Sequence, residues 1–271
     1  MDIASQISAI GSAGALATAA WKSPELLKEI YGDLAKPGVQ QVGKAISSVL
    51  GLGSTILLPL RLANEAARQF EVKAFERIAR RFSEIPIEQI CEVVPDIAIP
   101  LLEKISITSD ENLQSMFIEL LAKASNSDEV SKAHPSFISI IANMTSDEAF
   151  IIKDLQKTNL HPTINVLRFS ENGGYRVIHP LIFEVPDEVV FLENIPFYLT
   201  ILQSKGLIQI DMTQEIADQK LYDDLKSEID KIYQNAPYRD FRRFHIPGDV
   251  VFEKGVIAMT PFGDRFLEAC T

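Results

Sequence analysis

Arg239-Asp240-Phe241-Arg242-Arg243-Phe244-His245 is the stretch whose residue types and spacing could do chemistry. His245 could serve as general base or acid there, and Arg239 could stabilise the charge of a phosphorane-like transition state. The same stretch is the basic cluster of the chain that is interleaved with aromatics, Tyr238, Phe241 and Phe244. Arg239, Phe241, Arg242 and Arg243 would therefore also suit stacking on single-stranded nucleic acid or a protein contact. Pro237 and Pro247 confine any helix between them to about two turns. The favoured reading is an ordered loop anchored by its aromatics.

Other chemical patterns are weaker. Gly38-Val39-Gln40-Gln41-Val42-Gly43-Lys44 has the spacing of a Walker A loop, but Ala45 stands where the magnesium-binding hydroxyl belongs and no buried strand precedes it. Asp187 with Asp218-Gln219-Lys220 has the residue types of a metal nuclease, yet Lys220 falls on an expected helix where such sites use strands. His134, His161 and His179 each precede a proline, in the extended or turn geometry of an X-Pro step, and lack a second ligand at i+3 or i+4. They read as boundary residues, His134 as one that caps a helix start. Cys91 and Cys270 form no CxxC pair and read as small buried groups in a reducing compartment. No serine has a nucleophile-elbow setting. The chain is expected to be non-enzymatic, with no catalytic residue, metal or cofactor.

The elements that would position these residues fall into three regions. Residues 1–84 read as helices rich in Ala, Gly and Ser, 85–157 as a packed helical block, and 158–271 as mixed helix and strand. Ile3 to Trp21 holds 19 uncharged residues and Ala45 to Leu60 holds 16, both short for a membrane span of about 20 strongly apolar residues. Gly43, Ser47, Gly51 and Thr55 lie four apart on one helical stripe, with Leu57 nearby, so helix backbones could approach closely there. The favoured reading is a water-soluble helical hairpin, with reversible membrane insertion as the alternative.

In the central block Leu113, Met116, Phe117, Leu120, Leu121 and Ala124 fall at helical spacing after a cap at Ser109 or Asp110. Thr145 and Glu148 make a capping box ahead of Phe150, Ile151, Ile152 and Leu155. Further on, Thr163–Phe169 and Tyr175–His179 flank Glu171-Asn172-Gly173-Gly174 as a hairpin. Helices are predicted over Phe191–Ser204, Thr213–Gln234 and Pro261–Ala269, and strands over Leu207–Ile210 and Val250–Met259. That order looks like a winged-helix domain with an enlarged wing. From Ser146 to Thr271 there are 13 Lys plus Arg against 20 Asp plus Glu, a net of −7, and the whole chain carries −11. A duplex-DNA reader needs lysines and arginines to neutralise phosphates, so protein binding or scaffolding is the expected role. The residues after Met1 lack the basic start of a secretory signal, and a cytoplasmic location, peripheral to the inner membrane in the alternative, is expected.

Ile85-Pro86, Val94-Pro95-Asp96-Ile97-Ala98-Ile99-Pro100, Met116-Phe117-Ile118-Glu119-Leu120-Leu121-Ala122, His134-Pro135-Ser136-Phe137 and Ser146-Asp147-Glu148-Ala149 resemble the bacterial abortive-infection alpha (Abi-alpha) family. A weaker similarity continues through Lys36-Pro37, Lys205-Gly206-Leu207-Ile208 and Thr260-Pro261-Phe262-Gly263. The resemblance implies a role in defence against bacteriophage and supplies no catalytic residues. Separately, Arg239, a polar residue and His245 resemble the short motif of HEPN ribonucleases, which implies an RNase as the alternative function.

The reading is a mainly α protein with an α+β C-terminal part: helical N-terminal and central regions, then a winged-helix-like domain. It would sense a phage-derived or other protein partner and release or reorganise its first 60 residues. A second copy of the chain and the inner membrane are further candidate partners, duplex DNA is not expected, and a winged-helix DNA-binding regulator is the remaining alternative.

Overall fold

Ala74, Ile78 and Phe82, four apart, are all buried, on a helical segment that ends at Phe82. The computed structural model describes this segment at Ala74, Arg77 and Ile78, and then residues 80–169, 175–235 and 250–271. The chain divides into two compact units, Met1–Asn143 with Ala269–Thr271, and Met144–Glu268.

In the first unit, proline at a first-turn position opens helix α1 (Pro95–Ile107), where its missing N–H costs nothing. α1 also runs through Pro100, which leaves the exposed Asp96 without the usual helical donor to its carbonyl. Asp110 caps α2 (Glu111–Ala124) by accepting from Leu113 N at 2.9 Å. His134 opens α3 (Pro135–Ala142), its Nδ1 accepting from Ser136 N at 3.1 Å. The three helices pack on one another. Met116, Phe117, Leu120, Leu121 and Ala124 are buried, as the helical spacing predicts, while Leu113 is half-buried; Leu101, Ile105, Phe137 and Ile141 are buried as well.

A polar ladder fastens the segment ending at Phe82 to α2. Arg77 donates to Gln114 Oε1 at 2.7 Å, to the Glu111 carbonyl at 2.8 Å and to Ser115 Oγ at 2.5 Å. One turn on, Arg81 grips Glu119 through two bonds of 2.5 and 2.8 Å, the bidentate geometry that suits a guanidinium. Gln114 is buried but satisfied, since its Nε2 donates to the carbonyls of Ile105 and Thr108.

The second unit opens on α4 (Ser146–Leu155), whose capping box forms as the sequence predicts: Thr145 Oγ1 accepts from Glu148 N, and Glu148 accepts from Thr145 N at 2.6 Å. α4 lies in the unit that contains the sheet. There follow β1 (His161–Phe169), β2 (Tyr175–Ile182), α5 (Ile195–Ser204), β3 (Ile208–Asp211), α6 (Lys220–Asn235), β4 (Val250–Met259) and α7 (Pro261–Cys270). The strands make one antiparallel sheet in the order β2-β1-β4-β3. Ile164 and Val166 of β1 pack against Tyr222 and Leu225 of α6, with Ile178, Ile182, Ile216 and Phe252 around them. The Tyr222 hydroxyl donates to the Gly255 carbonyl at 3.0 Å and accepts from Ile216 N at 2.9 Å.

Two helices start later than the sequence predicts. α6 begins at Lys220 rather than Thr213, because Asp211 takes the Thr213 amide and hydroxyl and the Gln214 amide group into a local turn. α5 begins at Ile195 rather than Phe191, with Pro196 in its first turn. It ends as the sequence predicts: Gly206 takes φ +74, with Gly206 N donating to Gln203 O and Leu207 N to Leu202 O, a Schellman stop.

Gly263 in the first turn of α7 is required by space. A Cβ there would stand 2.0 Å from the Leu207 carbonyl oxygen and 2.8 Å from Met259 Cε. That oxygen already accepts from Thr260 N at 3.0 Å, so it is held. Gly263→Ala should therefore destabilise the protein by about 1–3 kcal/mol or more through overpacking. Denaturant unfolding checks this; unchanged stability would show that the Leu207 segment moves aside freely.

Candidate interaction surface

The distinctive side-chain arrangement in the second unit is built on two adjacent buried acids in the first turn of α4. Glu148 serves its own helix start, and its other oxygen meets Lys205 Nζ at 3.4 Å. Asp147 serves a segment far along the chain. One of its oxygens accepts from Val190 N at 3.1 Å; the other accepts from Phe191 N at 3.0 Å and from the Tyr198 hydroxyl at 3.2 Å. Burial first, and then the neighbouring Asp147 carboxylate, push the Tyr198 phenol above its usual value, so it stays a protonated donor. Asn194 Nδ2 donates to the same phenol oxygen at 3.3 Å.

This network fixes the backbone of 190–198 while its side chains point outward. Val190 is 70%, Phe191 53%, Leu192 59% and Phe197 62% exposed, whereas Val189, Tyr198 and Leu199 between and beside them are buried. Four large apolar side chains are thus exposed within eight residues, on a segment tied down by a buried carboxylate. Leu181, at the end of β2, sits at φ +53, a left-handed conformation costly for a non-glycine residue, and its N–H donates to Asn165 Oδ1 at 2.8 Å. Asn165 in turn donates to Glu253 at 2.8 Å. Leu181 lies at an irregularity of the β1–β2 pairing, one residue before Ile182, which still pairs with Ile164.

Sequence reasoning missed this surface. It places Phe191 and Leu192 in a helix that runs to Ser204, and Asp147 at a helix start. A usable signal was present: Val189-Val190-Phe191-Leu192 lies between Pro186 and Pro196, flanked by acids and without helical or strand alternation. The candidates singled out by sequence, Arg239, Phe241, Arg242, Arg243 and His245, and likewise Gly43, Ser47, Gly51, Thr55 and Leu57, lie outside the described residues. Asp187 lies in the segment after β2, and Asp218 accepts from Lys220 N in a local turn before α6. His161 Nε2 lies 3.0 Å from the Leu155 carbonyl, and burial lowers the affinity of His179 for its proton. Among the described residues no three His, Cys, Asp or Glu side chains converge as metal ligands, and no helix is long and apolar enough to cross a membrane.

These features define a mainly helical protein with an antiparallel sheet in its C-terminal half, presenting an ordered apolar surface. The sequence profile described as abortive infection alpha matches residues 66–270, and the chain belongs to that family. Membership implies a role in bacterial abortive infection. No curated protein matches the chain. A solved structure of an uncharacterized protein from the hydrocarbon-degrading marine bacterium Alcanivorax borkumensis SK2 is similar over 53% of this chain and 94% of that one, at 14% identity and a TM-score of 0.31.

Proposed function

We propose that this chain acts in abortive infection by binding rather than catalysis: a phage-derived or other protein docks on Val190–Phe197, and docking releases or reorganises the first 60 residues. The observation that carries the reading is the ordered exposure of Val190, Phe191, Leu192 and Phe197 above the buried Asp147 carboxylate. The Arg77 and Arg81 ladder supports the second half of it, since it ties the segment following the first 73 residues to α2 through polar bonds that can be exchanged for water. The winged-helix likeness of 158–271 enters as a scaffold for a protein contact, in keeping with the net charge of −7 over Ser146–Thr271.

Doubly substituted Phe191→Ser, Leu192→Ser protein should stay folded, because both side chains are exposed and serine keeps the two backbone N–H groups. It should lose anti-phage protection in a plaque assay. Full protection by the folded variant would remove the surface from the mechanism.

The released residues would act on the inner membrane. Leu57→Lys tests this, since a lysine near mid-bilayer costs about 2.5–3.5 kcal/mol on insertion scales and little on the surface of a soluble helix. The expected outcome is loss of both protection and membrane permeabilisation in infected cells. Retained protection by a folded Leu57→Lys protein sinks the membrane step.

A further inference from the structure

We infer that the segment docking on Val190–Phe197 is cationic: a protein segment with a few large apolar side chains flanked by lysines or arginines. This rests on the reading that Val190–Phe197 is the recognition surface, and specifies what the surface takes. Phe183 to Phe197 contains Glu184, Asp187, Glu188 and Glu193 and no lysine or arginine. All four acids are exposed, so the apolar side chains stand inside an acidic border. Asp147, which could have added to that field, is turned inward onto Val190 N, Phe191 N and Tyr198 and is spent on ordering the segment.

Four carboxylates within ten residues lie close enough to act together over a Debye length of about 8 Å at physiological salt. They repel the phosphates of nucleic acid and the anionic headgroups of the inner leaflet, which leaves a basic polypeptide as the complementary occupant. The apolar centre supplies affinity by losing water, and the acidic border supplies steering and orientation.

Two measurements on the full-length protein test this. In the first, a short synthetic Leu/Lys helical peptide and its Leu/Glu counterpart are titrated against the wild type and against two variants: Phe191→Ser, Leu192→Ser, and Asp187→Asn, Glu188→Gln, Glu193→Gln. A third protein, Glu88→Gln, Glu103→Gln, Asp128→Asn, removes the same charge elsewhere. The inference expects binding of the Leu/Lys peptide alone, weakened roughly tenfold or more by either surface variant and little by the remote one. Equal weakening by the remote variant, or equal binding of the Leu/Glu peptide, overturns it.

The second measurement is phage protection by the same variants. Loss in both surface variants supports the recognition surface and its cationic partner together. Loss in the Phe191, Leu192 variant with full protection in the Asp187, Glu188, Glu193 variant keeps the surface but overturns the cationic partner. Full protection in the Phe191, Leu192 variant overturns both. A doubled solution mass that falls to a single chain in the Phe191, Leu192 variant assigns the surface to a second copy and overturns the inference.

Discussion

Asp147→Ala should cost about 2–4 kcal/mol of stability and at the same time unfasten the exposed segment at Val190 and Phe191. A hydrogen bond to a charged acceptor contributes about 1.5–3 kcal/mol, and this carboxylate accepts three, from Val190 N, Phe191 N and the Tyr198 hydroxyl. The three are not additive, because water can reach part of what is left behind. The structural consequence is larger than the energetic one. Asp147 ties the first turn of α4 to the backbone of Val190 and Phe191, so its removal frees these two residues from their ordered display. Hydrogen exchange at the Val190 and Phe191 amides should rise sharply in Asp147→Ala and less in Asp147→Asn, which keeps one acceptor oxygen. Unchanged protection of these two amides would show that the segment is ordered by other means.

Leu120→Ala should be comparably damaging by a different route. Leu120 is fully buried in α2, among Met116, Phe117 and Leu121, which are buried as well. Truncating it removes apolar burial and leaves a cavity that a close-packed helical core fills poorly, at a cost of about 2–5 kcal/mol. The segment ending at Phe82 packs and hydrogen-bonds along the same α2, so loss of this core should also loosen the ladder from Arg77 and Arg81. A melting curve that coincides with the wild type would refute the packing role.

Local signals were legible in the sequence and long-range ones were not. Apolar spacing and caps placed α2, α4 and α7, and a glycine stop placed the end of α5, because each depends on residues a few positions apart. The Asn172-Gly173-Gly174 turn signal brought β1 and β2 together without any tertiary information. The pairing of β4 with both β1 and β3 depends on which faces meet, and no short pattern encodes that. The role of Asp147 was hidden for the same reason: its partners lie more than forty residues away, while its neighbours explain it adequately as a helix-start acid. The helix starts expected at Thr213 and Phe191 fall later, since a side-chain turn at Asp211 and a proline at Pro196 set the first turns. Of the site itself, the sequence carries a run of apolar residues among acids, and the sequence reading did not single it out.

The position of β4 bears on how the protein is made. It is the last strand to be synthesised and the one that joins the others, pairing with β1 on one side and β3 on the other. Until Val250–Met259 leaves the ribosome, β1 and β2 form at most an isolated hairpin, which is marginal in water, and β3 has no partner. α5, which carries Phe197 and Tyr198, packs against β2 and β3. The surface therefore matures only after nearly the whole polypeptide has been translated. A nascent or prematurely terminated chain, carrying the first 60 residues but no finished sheet, would lack the sheet on which α5 packs.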